Sequence, residues 1–288
     1  MKRLAILLLP FLLAAQPRPR AGPVEILKLD QVKAGMKATA WTVFAGLQPE
    51  PVPVEILGIL KNAWGPRQDI IVGKMGGAAE RTSVAGGMSG SPVYYEGKLL
   101  GAVSLRMGAF TRDAICGITP IELMLEINEF DQGRPGDART PERVAVAPGL
   151  VGTASGDLYL TPIQTPVTFG GFHYPVLREF GGIFERLGMV ALQGGGAGAG
   201  SAVSPSGSLQ PGDAVSAVLV SGDMSISASG TVTFNDGRRV LAFGHPFFNL
   251  GPVEMPMARA KVLHTLASNF APAKMFNTGE AGGPQPPD

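Results

Sequence analysis

The 288-residue chain lacks the residue types on which several common kinds of site depend. Its single cysteine, Cys116, excludes an intrachain disulfide, and its three histidines show no paired metal-ligand spacing such as His-x-x-x-His. We therefore expect neither a metal site nor a cofactor. Cys116 lies in the apolar, strand-like run Ala114–Ile118, which predicts a small buried thiol and not a nucleophile.

Charged residues are also scarce, at 16% of the chain, and the formal net charge is only +1. There is no basic run interleaved with aromatic residues, so we expect no nucleic-acid partner. By contrast, the chain has 40 glycines and 25 prolines alongside a 45% hydrophobic content. This composition favours short strands and turns around a core over long surface helices, so the expected fold class is mainly β.

No apolar run reaches the roughly 20 residues that a membrane span requires. The N-terminus instead has a basic start, Met1–Arg3, followed by an apolar stretch, Leu4–Ala15, that ends in small residues. This pattern predicts a signal peptide over residues 1–20 and a secreted or periplasmic protein. We expect membrane association only if this segment stays uncleaved.

Short apolar runs separated by Gly, Pro or Asn predict a first β-rich module over residues 21–130. Its strands are expected at Thr39–Phe44, Val52–Ile59, Ile70–Val72, Val93–Tyr95 and Leu99–Leu105. Val52–Ile56 alternates apolar and other positions, as a half-buried strand does. A closing helix is predicted next, with Thr119 as N-cap, Pro120 in the first turn and Glu122 completing a capping box.

Residues 131–213 are predicted to be a linker and a middle region, with a Gly-, Ala- and Ser-rich stretch and a helix near Val176–Leu187. A second β-rich module is predicted over residues 214–288, with a helical pattern at Ala258–Leu266. Its strands are expected at Val215–Val220, Ser225–Phe234 and Arg239–Phe243. Three strands are few for an independent barrel, so we expect this module to be incomplete.

The most specific feature is the turn sequence Gly87-Met88-Ser89-Gly90-Ser91-Pro92, which precedes a predicted hairpin. Trypsin-like peptidases present a nucleophilic serine in this way, and Gly87 allows backbone torsions that a side chain would forbid. We predict Ser89 as nucleophile and the amides of Gly87 and Ser89 as the oxyanion hole. Ser91 is interpreted as structural, and its position excludes the Gly-x-Ser-x-Gly pattern of α/β-hydrolases. Gly- and Ser-rich turns without chemistry are also common, so the motif alone leaves both interpretations open.

A second block of residues, Ala228–Phe234 followed by Leu241–His245, places a histidine at the end of a predicted strand. A general base benefits from a rigid strand end and a small neighbour such as Gly244. His245 is therefore a candidate base for Ser89, the alternative being a loop histidine that caps the sheet.

Three further residues are interpreted as structural. Asn235-Asp236-Gly237 is a strong hairpin-turn sequence, so Asp236 is predicted to form a turn. His173 lies in an apolar loop and His264 on the predicted helical pattern, and neither is expected to take part in catalysis.

The blocks that carry a family resemblance lie in both modules: Val54–Gly58, Gly86–Pro92, Gly97–Val103, Ala228–Phe234 and Leu241–His245. Together they resemble the stage IV sporulation protein B (SpoIVB) serine peptidases, over about half of the chain. The resemblance implies a trypsin-like β-barrel module carrying the serine, a closing helix and a second β-rich module carrying the histidine. It also implies an exported endopeptidase acting on proteins or peptides, with Ser89 as nucleophile and His245 as base.

The chain departs from that family in two respects. The histidine block follows the serine block here, whereas it precedes it in the family, so the histidine half must fold back beside the serine half. Where the family carries its catalytic acid this chain has Lys74, and the nearby Asp69 and Glu80 do not match the position. The third triad member is unknown, and a Ser-His dyad or an acid from elsewhere, such as Asp113, is open.

Three functions follow as hypotheses. The first is the exported serine endopeptidase. The second is a catalytically inactive, peptidase-like protein or fragment that binds an extended peptide along a strand edge. The third is an esterase, since the same serine and histidine can act on esters.

Overall fold

Two barrel-like sheets contain most of the described residues, so the predicted mainly β fold class is confirmed. The computed structural model describes residues 17–107, 112–130, 144–145, 159–194, 209–247, 255–268 and 270–279. Most of the predicted signal peptide, most of the predicted linker and nearly all of the Gly-rich stretch lie outside these residues.

Six strands close the first barrel: β1 (Lys37–Thr42), β2 (Glu50–Gly65), β3 (Gln68–Met75), β4 (Ser91–Tyr95), β5 (Lys98–Met107) and β6 (Ala114–Pro120). The order is β4-β1-β2-β3-β6-β5, and antiparallel pairing of β5 with β4 closes the ring. Closure removes the free edges that would otherwise invite pairing with other chains. Outside the ring, β8 (Tyr159–Pro162) pairs with the end of β5, and the two-residue β7 (Val144–Ala145) pairs with β8.

The barrel interior follows the alternation seen in the sequence. Val52, Val54 and Ile56 of β2 are buried, while the residues between them are exposed or partly exposed. These side chains belong to the same core cluster as Met88 and Val103. Burying a side chain as large as methionine stabilises the fold by about 1.5–3 kcal/mol, so Met88 anchors the serine turn to the barrel core.

The second sheet has seven strands: β9 (Thr165–Gly170), β10 (Met189–Gly194), β11 (Ala214–Val220), β12 (Ser225–Asn235), β13 (Val240–Ala242), β14 (Met257–Leu266) and β15 (Ala273–Thr278). The main path is β10-β9-β12-β11-β14-β15, with β13 paired to β12. A β12–β13 turn at Asn235–Gly237 confirms the predicted hairpin.

Three α-helices accompany the strands within the described ranges: α1 (Ala78–Thr82), α2 (Ile121–Phe130) and α3 (Tyr174–Glu185). The helix α3 confirms the one predicted in the middle region. It connects β9 to β10, which pair in parallel, and parallel neighbours need such a crossover. A 3₁₀ turn, Leu29–Gln31, precedes β1.

The closing helix α2 is confirmed, but its predicted capping box is wrong. Thr119 still belongs to β6, and its hydroxyl donates to the Gly244 carbonyl at 2.9 Å and shares a 2.7 Å hydrogen bond with Ser104 Oγ. The Glu122 carboxylate accepts the Leu29 amide at 2.8 Å. Both side chains therefore have partners distant in sequence, which compete successfully with a local cap.

The helix predicted at Ala258–Leu266 is also wrong, because this segment is strand β14, between β11 and β15. Ala258, Ala260 and Val262 are buried at every second position, as the pleat of a strand requires. The four-residue spacing of Ala258 and Val262 fits a helix equally well, so the neighbouring strands decide the outcome. His264 is accordingly an exposed strand residue.

The region between the predicted modules contributes strands to both sheets. Strand β8 extends the first sheet, whereas β9 and β10 pair within the second. The second sheet consequently begins well before residue 214 and has more strands than the three predicted.

The two sheets meet where β12 crosses the serine turn. The Thr231 amide donates to the Ser89 carbonyl at 2.8 Å. Gly90 has a φ of +90°, and a Cβ there would lie 2.0 Å from the Thr231 carbonyl oxygen and 2.4 Å from the Phe243 nitrogen. Only glycine can occupy this position without moving the two sheets apart.

Gly90→Ala is expected to lower the free energy of unfolding by at least about 3 kcal/mol, because a backbone clash adds to the torsional strain. Gly97→Ala is the matched control, since Gly97 has a φ of +81° with nothing within 4 Å of its Cβ position. Strain alone is expected to cost about 1 kcal/mol there. Urea unfolding followed by circular dichroism measures both values, and equal losses would contradict the close contact.

Candidate functional site

The serine turn, residues 86–90, is held by hydrogen bonds to its neighbours in sequence and to strand β5. The Met88 amide donates to the Ala85 carbonyl at 3.0 Å, and the Gly90 amide donates to the Val103 carbonyl of β5 at 2.8 Å. Ser91 donates to the Met88 carbonyl through its amide at 3.0 Å and its hydroxyl at 2.6 Å. Ser91 therefore has the structural role predicted for it.

The amides of Gly87 and Ser89 differ from those of the neighbouring residues in their hydrogen bonding. Within the described part of the chain, neither donates a hydrogen bond, whereas the amides of Met88, Gly90 and Ser91 all do. Buried backbone donors are nearly always paired, so two free amides separated by one residue are unusual. They are the two donors that the sequence predicts for an oxyanion hole.

The carbonyls of the same turn accept hydrogen bonds from the second sheet. Thr231 Oγ1 donates to the Gly87 carbonyl at 2.8 Å, and Thr233 Oγ1 donates to the Gly90 carbonyl at 2.7 Å. Together with the Thr231 amide on Ser89, these bonds join the two sequence blocks, whose contacting residues are as much as 144 positions apart. The histidine half does fold back beside the serine half.

The turn that carries His245 lies against the same strand as the serine turn. Phe243 and Gly244 have φ values of +67° and +69°. A Cβ on Gly244 would lie 3.0 Å from Ala102 Cβ and 3.4 Å from the Val103 carbonyl, which is also the acceptor of the Gly90 amide. Gly90, which follows Ser89, and Gly244, which precedes His245, therefore contact the same short stretch of β5.

The His245 ring is oriented by the backbone. Its Nδ1 lies 2.9 Å from the Pro246 carbonyl oxygen, which can only accept, so Nδ1 carries the proton when this bond is made. Nε2 then has the lone pair, and it is buried without a hydrogen-bond partner. Burial lowers the pKa of His245, while the facing carbonyls of Pro246 and Ile163 partly oppose the shift. The neutral imidazole, which can act as a base, is thereby favoured.

Ser89 Oγ and His245 Nε2 are two of the five buried side-chain polar atoms without a partner in the described residues. They are not hydrogen-bonded to each other, and the Ser89 side chain is fully buried. Buried polar atoms without partners are uncommon and often mark a functional site. Catalytic hydrogen bonds can also form only once a substrate is bound.

The acidic residues considered as a third triad member have other partners. Asp113 Oδ1 forms an ion pair with Lys74 at 2.8 Å, and Asp69 pairs with Lys61 at 2.7 Å in the β2–β3 hairpin. Asp236 accepts the amides of the two arginines that follow it, which lowers the pKa of its carboxyl and confirms its turn-forming role. The hydrogen bond described for the His245 ring goes to a carbonyl and not to a carboxylate.

The remaining histidine predicted to be structural, His173, is exposed and directly precedes α3. Its carbonyl accepts the Val176 amide at 2.9 Å in the first turn of that helix. No group of three or more His, Cys, Asp or Glu in the described ranges could hold a metal ion. No helix in those ranges is long and apolar enough to cross a bilayer.

Sequence reasoning missed Lys274. This lysine of β15 is fully buried, and its Nζ donates to Thr42 Oγ1 at 2.7 Å and to the Gly87 carbonyl at 3.2 Å. Burial lowers the pKa of Lys274 to about 7. These contacts could not be predicted from the local sequence, because nothing in the spacing around Lys274 shows that its side chain points at a turn 187 positions earlier.

Comparisons with protein-family models, with curated proteins and with solved structures each gave no match. The resemblance to sporulation peptidases therefore stays a prediction from the sequence, and the site is interpreted from its own geometry.

Cys116 is expected to be unreactive in the folded protein, because its thiol is buried and burial raises its pKa to about 12. Treatment with iodoacetamide at pH 8 should leave the native chain unmodified and alkylate it fully in urea. Mass spectrometry reads out both states, and rapid native alkylation would show that the strand carrying Cys116 is accessible.

Proposed function

We propose that the protein is an exported serine endopeptidase of the sporulation protein B type, with Ser89 as nucleophile and His245 as general base. One observation carries the proposal: the junction between the two sheets leaves four groups without partners. These are the Ser89 hydroxyl, the His245 Nε2 and the amides of Gly87 and Ser89. Acyl transfer needs a nucleophile, a base and a pair of oxyanion donors.

The chemistry follows from these four groups. Ser89 Oγ forms a bond to the substrate carbonyl carbon as its proton passes to His245 Nε2. The carbonyl oxygen becomes negative and accepts hydrogen bonds from the Gly87 and Ser89 amides. The carbon–nitrogen bond then breaks, and the leaving amine takes the proton from Nε2. A water molecule, deprotonated by the same nitrogen, hydrolyses the acyl-enzyme and regenerates Ser89.

The Pro246 carbonyl takes the orienting role that a carboxylate has in a Ser-His-Asp triad. It accepts the proton of Nδ1 and so directs the lone pair of His245 to Nε2. A neutral carbonyl stabilises the imidazolium less than a carboxylate does, so the proposed machinery is a dyad with a backbone orienter.

The complete burial of Ser89 also favours a second candidate function. A nucleophile must meet its substrate, so peptide binding has to displace part of what covers the turn. A protein that binds peptides without cleaving them would need no such access. The two functions differ in whether Ser89 can be acylated or phosphonylated in the folded chain.

We expect a fluorophosphonate probe to label the folded chain at Ser89, with no labelling of Ser89→Ala. His245→Ala should reduce the labelling rate at least about 100-fold, which is the scale of general-base catalysis. Ser216→Ala and His173→Ala are matched controls, since Ser216 is a buried serine bonded within the second sheet and His173 is exposed. Both should label at the wild-type rate.

Labelling that needs Ser89 but not His245 would contradict the proposed base. A folded wild-type chain that is not labelled would contradict the peptidase and favour the peptide-binding protein. Cleavage of activated esters without cleavage of any peptide in a mixed peptide library would indicate an esterase.

The pH dependence of labelling gives a separate test. Because burial lowers the pKa of His245, the base should be neutral throughout the physiological range. We expect the labelling rate to be constant around neutral pH and to fall with acidification, with its midpoint below the ordinary histidine value of about 6.5. A midpoint above that value would contradict a buried, uncharged His245.

A further inference from the structure

Lys274 is a buried ionisable group beside the serine turn that the proposed chemistry leaves unused. Its amine is fully buried, and no carboxylate in the described residues forms an ion pair with it. A buried amine without such a partner is unfavourable compared with an apolar side chain of the same size. Its location therefore needs an explanation beyond packing.

We propose that Lys274 is a positioning residue that fixes the direction of the Gly87 oxyanion donor. The proposal rests on the function proposed above. This one lysine, on the last described strand, restrains the two peptide groups on either side of the Gly87 α-carbon through hydrogen bonds.

The backbone of Lys274 holds the first of these peptides. Its amide donates to the Gly86 carbonyl at 2.9 Å, and the Gly86 amide donates to the Pro272 carbonyl at 2.7 Å. The Gly86 carbonyl and the Gly87 amide belong to the same planar peptide group. A hydrogen bond to that carbonyl therefore fixes where the Gly87 N–H points.

The side chain of Lys274 holds the second peptide. Its Nζ donates to the Gly87 carbonyl at 3.2 Å, alongside Thr231 Oγ1 at 2.8 Å. That carbonyl shares its peptide plane with the Met88 amide, which donates to Ala85. Lys274 thus restrains the peptides before and after Gly87.

Gly87 needs this restraint because glycine has more backbone freedom than any other residue. It has a φ of +88°, and a Cβ there would lie 2.6 Å from Phe276 Cζ and 3.3 Å from Lys274 Cδ. No larger residue could occupy the position and stiffen it. The restraint comes instead from β15, whose Lys274 and Phe276 pack directly against the turn.

The Lys274 amine can make its hydrogen bond to the Gly87 carbonyl in either protonation state. With its pKa lowered by burial to about 7, Nζ keeps at least two N–H donors at any physiological pH. It can therefore donate to the Gly87 carbonyl whether neutral or charged. Thr42 Oγ1, at 2.7 Å, can accept from Nζ or donate to it as required.

The test compares Lys274→Met, which removes the donor and keeps an unbranched side chain one atom shorter, with Lys274→Gln, which keeps a donor. Thr265→Val is the matched control, because it removes a buried hydroxyl that donates to the Phe44 carbonyl, away from the serine turn. Two readouts are measured on the full chain: hydrolysis of p-nitrophenyl acetate, and hydrogen exchange of the Met88 amide by NMR.

We expect Lys274→Met to lower kcat about 10- to 100-fold with KM little changed, since an oxyanion donor acts on the transition state. Met88 exchange should become at least about 10-fold faster. Lys274→Gln should restore part of both values, and Thr265→Val should change neither. If Lys274→Met does not fold, Lys274→Gln is compared with wild type, with smaller changes expected in the same directions.

Wild-type kcat in a folded Lys274→Met variant would overturn the proposal, as would unchanged Met88 exchange. An increase in KM alone would also overturn it, because it would indicate a general loosening of the binding surface. If the wild-type chain shows no hydrolysis but Met88 exchange still accelerates in Lys274→Met, the restraint on the turn is supported and the peptidase function is not.

Discussion

The docking of Thr231 onto the serine turn is the contact on which the rest of the site depends. Its amide and hydroxyl bind two carbonyls of the turn, and Thr233 binds a third. With the carbonyls engaged, the amides of Gly87 and Ser89 are left free. The same docking brings the end of β13 to β5, which places His245. Without it, the first barrel would carry a glycine-rich loop with no defined chemistry.

The site is built almost entirely from neutral groups. Threonine hydroxyls and backbone carbonyls hold the turn, and a carbonyl orients the imidazole ring. The two ionisable side chains of the site, His245 and Lys274, both have their pKa lowered by desolvation. In such a low-dielectric region each hydrogen bond is stronger than it would be in water, so a small number of them can define the geometry.

The sequence predicted correctly those strands and turns that depend on residues close together in the chain. The alternation at Val52–Ile56, the turn at Asn235–Gly237 and the glycines of the serine motif were all visible in the sequence, and the structure contains the corresponding strand and turns. The predictions that were wrong concern segments whose hydrogen-bond partners are distant in the sequence. Thr119 bonds to Gly244 and not to its own helix, and β14 is a strand because β11 and β15 flank it. Lys274 could not be predicted at all, since its role exists only after both sheets have met.

The long sequence separation between the two halves of the site also determines when it can exist. Residues near 87 leave the ribosome well before residues 231 and 274, and the contacts between them cannot form until the second sheet is made. The first barrel, by contrast, closes through pairings among its own strands. The strand pairings of the first barrel can therefore form before the serine turn is assembled. Under the proposed function, this order of folding would keep Ser89 inactive until β15, the last described strand, has packed against the serine turn.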